Sequence, residues 1–154
     1  MAHICICDDE EGILRYLKKQ MRDYQVDTFS GGMDLLKLLE SSAGSGVDLL
    51  LQDVRMPDMD GLSAACLIRQ RSQGGAVPLV VMITAYGREV LADAQQEDDA
   101  PFAEFLSKPV NKLELLTRVQ SLLKARKLRQ SGDNKDAYIR DLERMLEQTR
   151  GDGA

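Results

Sequence analysis

The chain has 154 residues, 44% of them hydrophobic and 29% charged, with a formal net charge of -5 and a pI near 4.9. This is the balance of a globular domain rather than a disordered or membrane-spanning chain, and its acidity excludes a grip on nucleic acid through the phosphates. No apolar run reaches the roughly 20 residues that cross a bilayer, and the opening MAHICICDDE lacks a basic region ahead of an apolar one, so a cytoplasmic protein without a signal peptide is expected.

The first predicted element is a strand, His3 to Cys7, stopping at Asp8. A helix over Gly12 to Met21 follows, with Ile13, Leu14, Leu17 and Met21 at helical spacing. Gln25 to Phe29 predicts a second strand, and Ser30 is placed to cap a helix whose core face is Leu35, Leu36 and Leu39. Ser41 to Gly46 is a loop by composition. The third strand, Asp48 to Gln52, holds three consecutive leucines, which predicts burial on both faces, as in a parallel sheet covered by helices. A helix over Gly61 to Arg71 has its faces marked by Leu62, Ala65, Cys66 and Ile68 or Arg69, and Gly74-Gly75 ends it. Pro78 opens a fourth strand, PLVVMIT, and a fourth helix is expected over Arg88 to Gln96. The last strand is Phe102 to Leu106, and the last helix, Val110 to Lys127, presents Val110, Leu113, Leu116, Val119 and Leu123. Five strands alternating with five helices predict a doubly wound parallel sheet with right-handed crossovers.

Cysteine usage adds no framework. Cys5, Cys7 and Cys66 are odd in number in a chain without a secretory signal, and two thiols with the one histidine, His3, do not complete a zinc set. Cys5 and Cys7 are read as small buried hydrophobes.

Ligands of open α/β sheets bind beyond the carboxyl ends of the strands. Asp8 and Asp9 end the first strand, Asp53 the third and Thr84 the fourth, while Lys108 follows the fifth. A helix cap would explain Asp8 and Asp9 but not the other strand ends. Three crowded carboxylates repel one another unless a cation joins them, and hard oxygen donors with room for water suit Mg2+. Asp53, on the central strand, is also a candidate nucleophile toward phosphorus, with Lys108 and Thr84 supplying a cation and a hydroxyl for the phosphoryl oxygens.

The segments ICDDE, QDVRMPDMDG, MITAYG and FLSKP stand in this order, and with them the chain, from about His3 to Lys127, resembles the receiver domain of bacterial two-component response regulators. The resemblance implies a flavodoxin-like receiver of five strands and five helices, followed here by a helical extension. It implies Asp53 as phosphoacceptor, and Mg2+ held by Asp8, Asp9, Asp53 and the backbone carbonyl of Arg55. Thr84 is then the switch hydroxyl, Lys108 the phosphoryl-contacting lysine and Phe105 the ring that turns on activation. A cis peptide before Pro109 and a histidine kinase or histidine phosphotransfer protein as phosphodonor are implied as well. Such a chain catalyses its own phosphorylation and dephosphorylation. The sequence departs from the family at AQQEDDAPFAEF, where acids and Pro101 replace the usual short turn.

Rival readings are an interaction module that works without phosphate and a phosphatase. The module would usually lack a pocket residue, and none is missing. The phosphatase would want a carboxylate two residues after the nucleophile, where Arg55 stands. An EF-hand loop ending its first half at Gly61 fails, because its first and twelfth ligands would be Met56 and Leu67.

The receiver is expected to span residues 1–127, and residues 128–154 a helical tail or linker to an output domain. The tail runs from basic KARKLR into a charged helix, Lys135 to Arg150, with Tyr138, Leu142, Met145 and Leu146 near one face. That narrow stripe suits a linker or a phosphorylation-linked homodimer. No helix-turn-helix accompanies the basic residues, so direct nucleic-acid binding is not expected.

Overall fold

A computed structural model of the chain describes residues 1–41, 46–71, 78–85, 102–130 and 135–151. Its strands form along the continuous apolar runs: β1 (His3–Cys7), β2 (Gln25–Phe29), β3 (Leu49–Asp53), β4 (Leu79–Thr84) and β5 (Glu104–Ser107). They pair in parallel throughout, in the order β2-β1-β3-β4-β5. The chain steps from β1 outward to β2 and then returns to the other side of β1, so the switch in winding direction lies between β1 and β3. This is the doubly wound, flavodoxin-like architecture.

Position in the sheet explains strand composition. Every residue of β3, Leu49 to Asp53, is buried, as three consecutive leucines require. Edge strand β2 exposes Gln25, Asp27 and Thr28. Helices α1 (Glu11–Gln20), α2 (Gly32–Glu40) and α3 (Gly61–Arg71) follow β1, β2 and β3. Leu35 and Leu36 of α2 and Ala65 and Ile68 of α3 form one buried cluster with Cys5, Cys7, Leu50, Val80 and Met82 of the strands. Cys5 and Cys7 are thus core residues, whereas Cys66 points outward and marks the exposed face of α3.

The expected cap on α2 is corrected. The N-cap is Gly31, which has no side chain to offer, and Ser30 makes no capping bond. The helix expected over Arg88 to Gln96 and the Gly74-Gly75 stop lie outside the described residues.

The chain divides into two compact units, Met1–Lys112 and Leu113–Ala154. The second holds α4 (Lys112–Gln130), apart from its first residue, and α5 (Lys135–Gly151). Along α4 the buried stripe is Leu115, Val119, Leu122 and Ala125, and Leu113 is 76% exposed. Of the expected stripe, Val119 is buried, Val110, Leu116 and Leu123 are half-buried and Leu113 is exposed, so the buried face is rotated from the one expected. The doublets Leu115-Leu116 and Leu122-Leu123 fit either face, and packing selects one member of each. On α5, Leu142 and Met145 are half-buried, while Ile139 and Leu146 are exposed. Among the described residues no helix is long and apolar enough to cross a membrane.

Candidate functional site

Two strands flanking the switch point carry the central carboxylates. Asp8 directly follows β1, is almost wholly buried, and donates its N–H to the Phe29 carbonyl at 3.0 Å, which continues the ladder with β2. Its Oδ1 accepts the Glu10 N–H at 2.9 Å, fixing the carboxylate. Asp53 is the last residue of β3, and its carboxylate accepts the backbone N–H of Arg55. The chain then turns sharply: Val54 donates to the Ile83 carbonyl at 3.1 Å and accepts from the Gly61 N–H at 2.8 Å. This turn needs Gly61. A Cβ there would sit 2.0 Å from the Asp53 carbonyl oxygen.

Lys108 lies just beyond β5 and donates its backbone N–H to the Thr84 carbonyl at 2.8 Å, joining the exits of β5 and β4. Its peptide bond to Pro109 is cis, as the resemblance implied. The ammonium reaches across the rim to Asp8 Oδ2 at 3.0 Å and Asp53 Oδ1 at 3.4 Å, with Glu10 Oε1 at 3.9 Å. Thr84 closes β4 and is buried. Asp9 is exposed, yet Asp8, Asp9 and Asp53 each bring a carboxylate oxygen to within 4.8 Å of the others. Phe105 is half-buried against the core cluster and pairs with Met82, two residues before Thr84. Arg55 lines a cavity of about 390 Å³ with Asp9, Val54, Met56, Pro57 and Asp60.

The electrostatics follow from burial. Loss of hydration pushes the Asp53 carboxyl up to about 6; the nearby Asp8 charge adds to the shift, and Lys108 opposes it. Burial alone would lower Lys108, but its hydrogen bond to Asp8 and the charges of Asp53 and Asp8 prevail and raise it. Four carboxylates, Asp8, Asp9, Asp53 and the more exposed Glu10, stand around one ammonium and leave three negative charges uncompensated when all are ionised. A divalent cation offsets most of that deficit, and the all-oxygen donor set of Asp8, Asp9 and Asp53, with one solvent-exposed member, fits Mg2+ better than a softer metal.

The structure therefore brings Asp8, Asp9, Asp53 and Lys108 together, sets Thr84 at the adjacent strand end, and places Arg55 beside them in the following loop. Sequence reasoning missed Glu10, which the 3.9 Å approach to Lys108 brings to the rim. It also missed Asp58, whose carboxylate accepts the N–H groups of Gly32 at 3.2 Å and Met33 at 3.1 Å. Glycines at positions 31 and 32 were the signal, since a helix start without its own capping side chain must be capped from elsewhere.

The family model described as the response regulator receiver domain matches residues 4–120. The cyclic di-GMP phosphodiesterase response regulator RpfG of Xanthomonas campestris is 34% identical over 148 residues, covering 94% of this chain and 37% of that protein. The transcriptional regulatory protein CpxR of Escherichia coli is 33% identical over 141 residues, covering 88% of this chain and 55% of that protein. The chain thus spans less than two thirds of the length of either relative. Among solved structures, the response regulator TrrA of Thermotoga maritima, in complex with Mg2+–BeF, is 28% identical with a TM-score of 0.63, covering 79% of this chain and 99% of that one. The signal receiver domain of an HD domain-containing protein from Pseudomonas fluorescens is 25% identical with a TM-score of 0.68, covering 80% and 94%.

Proposed function

Because this chain belongs to the response regulator receiver domain family, we propose that it is a phosphorylation-controlled signalling switch whose acceptor is Asp53. The observation that carries the reading is Lys108, whose ammonium stands within 3.4 Å of both Asp8 and Asp53 at the switch point of the sheet. In the proposed step an Asp53 carboxylate oxygen attacks phosphorus, the bond from phosphorus to the donor breaks, and an acyl phosphate forms. A carboxyl raised toward 6 is more basic than an ordinary aspartate yet mostly ionised at neutral pH, as a nucleophile requires. Lys108 then exchanges its contact with Asp53 for one with a phosphoryl oxygen, remaining paired to Asp8. Thr84 offers its hydroxyl from the neighbouring strand end. Phe105, farther along the same pair of strands, follows the displacement of Thr84. Asp8, Asp9, Asp53 and the Arg55 carbonyl would hold Mg2+, which when bound neutralises charge on the phosphoryl oxygens.

Membership of this family implies a histidine kinase or histidine phosphotransfer protein as phosphodonor. The chain is proposed to act in the cytoplasm, with residues 1–127 as the receiver and the remainder as a helical connection to an output domain. The interaction module without phosphate has no observation in its favour.

Incubation with acetyl phosphate and Mg2+ should add one phosphoryl group by intact mass, and Asp53→Ala should add none. A variant at Asp53 that labels like the wild type removes the acceptor assignment.

A further inference from the structure

The loop from Val54 to Asp60 presents Arg55 to Asp53, so its position sets the geometry of the site. Its ends are tied by backbone hydrogen bonds, from Val54 to Ile83 and from Gly61 to Val54. Its middle is anchored by Met56, which is buried, with Sδ 3.3 Å from Cys7 Sγ and 3.9 Å from Gln52 Nε2. The third tie leaves the loop altogether. Asp58 spends both carboxylate oxygens on the first two N–H groups of α2, at Gly32 and Met33.

This bridge is charge-assisted, because an anion meets the positive end of a helix as well as two donors. The Met33 N–H, with help from that of Gly32, holds the Asp58 carboxyl below the usual carboxylate range. It is also closely fitted. A Cβ on Gly31 would lie 2.7 Å from Asp58 Oδ2, and one on Gly32 would lie 3.2 Å from Met59 Cβ and 3.4 Å from Met56 Cε. The two glycines are thus explained by the approach of this loop, and α2 receives from Asp58 the cap that neither Gly31 nor Ser30 supplies.

We propose that Asp58 is a positioning residue that clamps the Val54–Asp60 loop to the first turn of α2, thereby setting where the Arg55 backbone meets Asp53 and its cation. The proposal rests on Asp53 being the acceptor. It makes α2 mechanically continuous with the site: movement of the loop on phosphorylation must pull on, or release, the Gly32 and Met33 amides. Reacting groups lose rate steeply when displaced by even about 1 Å, so a loosened loop slows the reaction without removing any group that performs it.

The test uses the full chain with acetyl phosphate and Mg2+, at a temperature where each variant is folded, alongside amide NMR with beryllium fluoride. Asp58→Ala should phosphorylate roughly tenfold more slowly and need more Mg2+ for half-maximal rate. Asp58→Asn, which keeps one acceptor oxygen, should recover part of the loss. Gly31→Ala, which displaces the carboxylate without deleting it, should resemble Asp58→Ala and replaces it in the comparison if that variant does not fold. In the wild type, beryllium fluoride should shift the Gly32 and Met33 amides, and in Asp58→Ala only amides near Asp53 should respond. Variants with lowered melting temperature but wild-type rate and Mg2+ dependence would reduce Asp58 to a helix cap and overturn the proposal. A wild type that takes up no phosphoryl group removes the acceptor itself and the proposal with it.

Discussion

Asp53 is held in a conflict that stability measurements can read. Burial and the Asp8 charge raise its carboxyl to about 6, above an unfolded value near 4, so the folded state binds this proton more tightly than the unfolded state does. The contribution of Asp53 to stability is then most favourable below about pH 4 and is lost as pH rises through about 6. In metal-free solution Asp53→Asn, which cannot ionise, should therefore be more stable than the wild type at pH 7 by roughly 1 kcal/mol after allowance for screening. That advantage should shrink toward zero by about pH 4, and thermal melts at both values check it. An advantage of equal size at the two pH values would place the cause somewhere other than this ionisation. The cysteines give a second measurement at this scale. Burial, aided by Asp27 for Cys5 and by Asp58, Asp8 and Asp53 for Cys7, pushes both thiols up to about 12, and Cys66 is exposed. Iodoacetamide at pH 8 should add one group quickly, at Cys66, with Cys5 and Cys7 reacting only on unfolding. Rapid triple labelling of the native chain would contradict that packing.

Elements were legible where one residue pattern allowed one structure. Three consecutive leucines before Asp53 have no polar face to show water, and β3 is buried throughout. The acidic and basic strand ends could be assembled into one rim from the sequence alone, because a parallel sheet sends all its carboxyl ends to the same edge. Features set by distant partners were not legible. Ser30 looked like a cap by local rule, but the cap on α2 is Asp58, on a loop 26 residues away from Gly32. In α4 the leucine doublets left two faces equally apolar, and only packing decided between them. Glycines separate the same two kinds of cause. A Cβ added at Gly12, in α1, would meet nothing within 4 Å, so Gly12→Ala should raise stability by about 0.4 to 1 kcal/mol. Gly61→Ala would drive a methyl into the Asp53 carbonyl and should cost about 3 kcal/mol or more while impairing phosphorylation. Urea unfolding of the two variants measures both signs, and equal effects would mean that the turn at Gly61 yields easily.

At the scale of the whole molecule, the unit Leu113–Ala154 presents exposed apolar side chains among its described residues. On α5, Ile139 and Leu146 are exposed and Leu142 lies between them at helical spacing, a seam of the kind that pairs with a second helix. Covering each such side chain contributes roughly 1.5 to 3 kcal/mol, whereas association costs roughly 4 to 15 kcal/mol in lost freedom. Three side chains on each of two helices therefore set roughly 9 to 18 kcal/mol against a cost of similar size, so the expected state is a concentration-dependent dimer rather than an obligate one. Phosphorylation tightens it only if the phosphorylated conformation favours the paired state, since a ligand shifts an equilibrium by its differential affinity alone. Sedimentation of the full chain should show dimer at high concentration and a several-fold tighter constant with beryllium fluoride and Mg2+. A chain ending at Gln130, and full-length Leu146→Asp, should stay monomeric under both conditions. If the full chain too remains monomeric over the whole accessible range, the apolar seam of α5 does not pair with a second copy of this chain, and the homodimer reading fails.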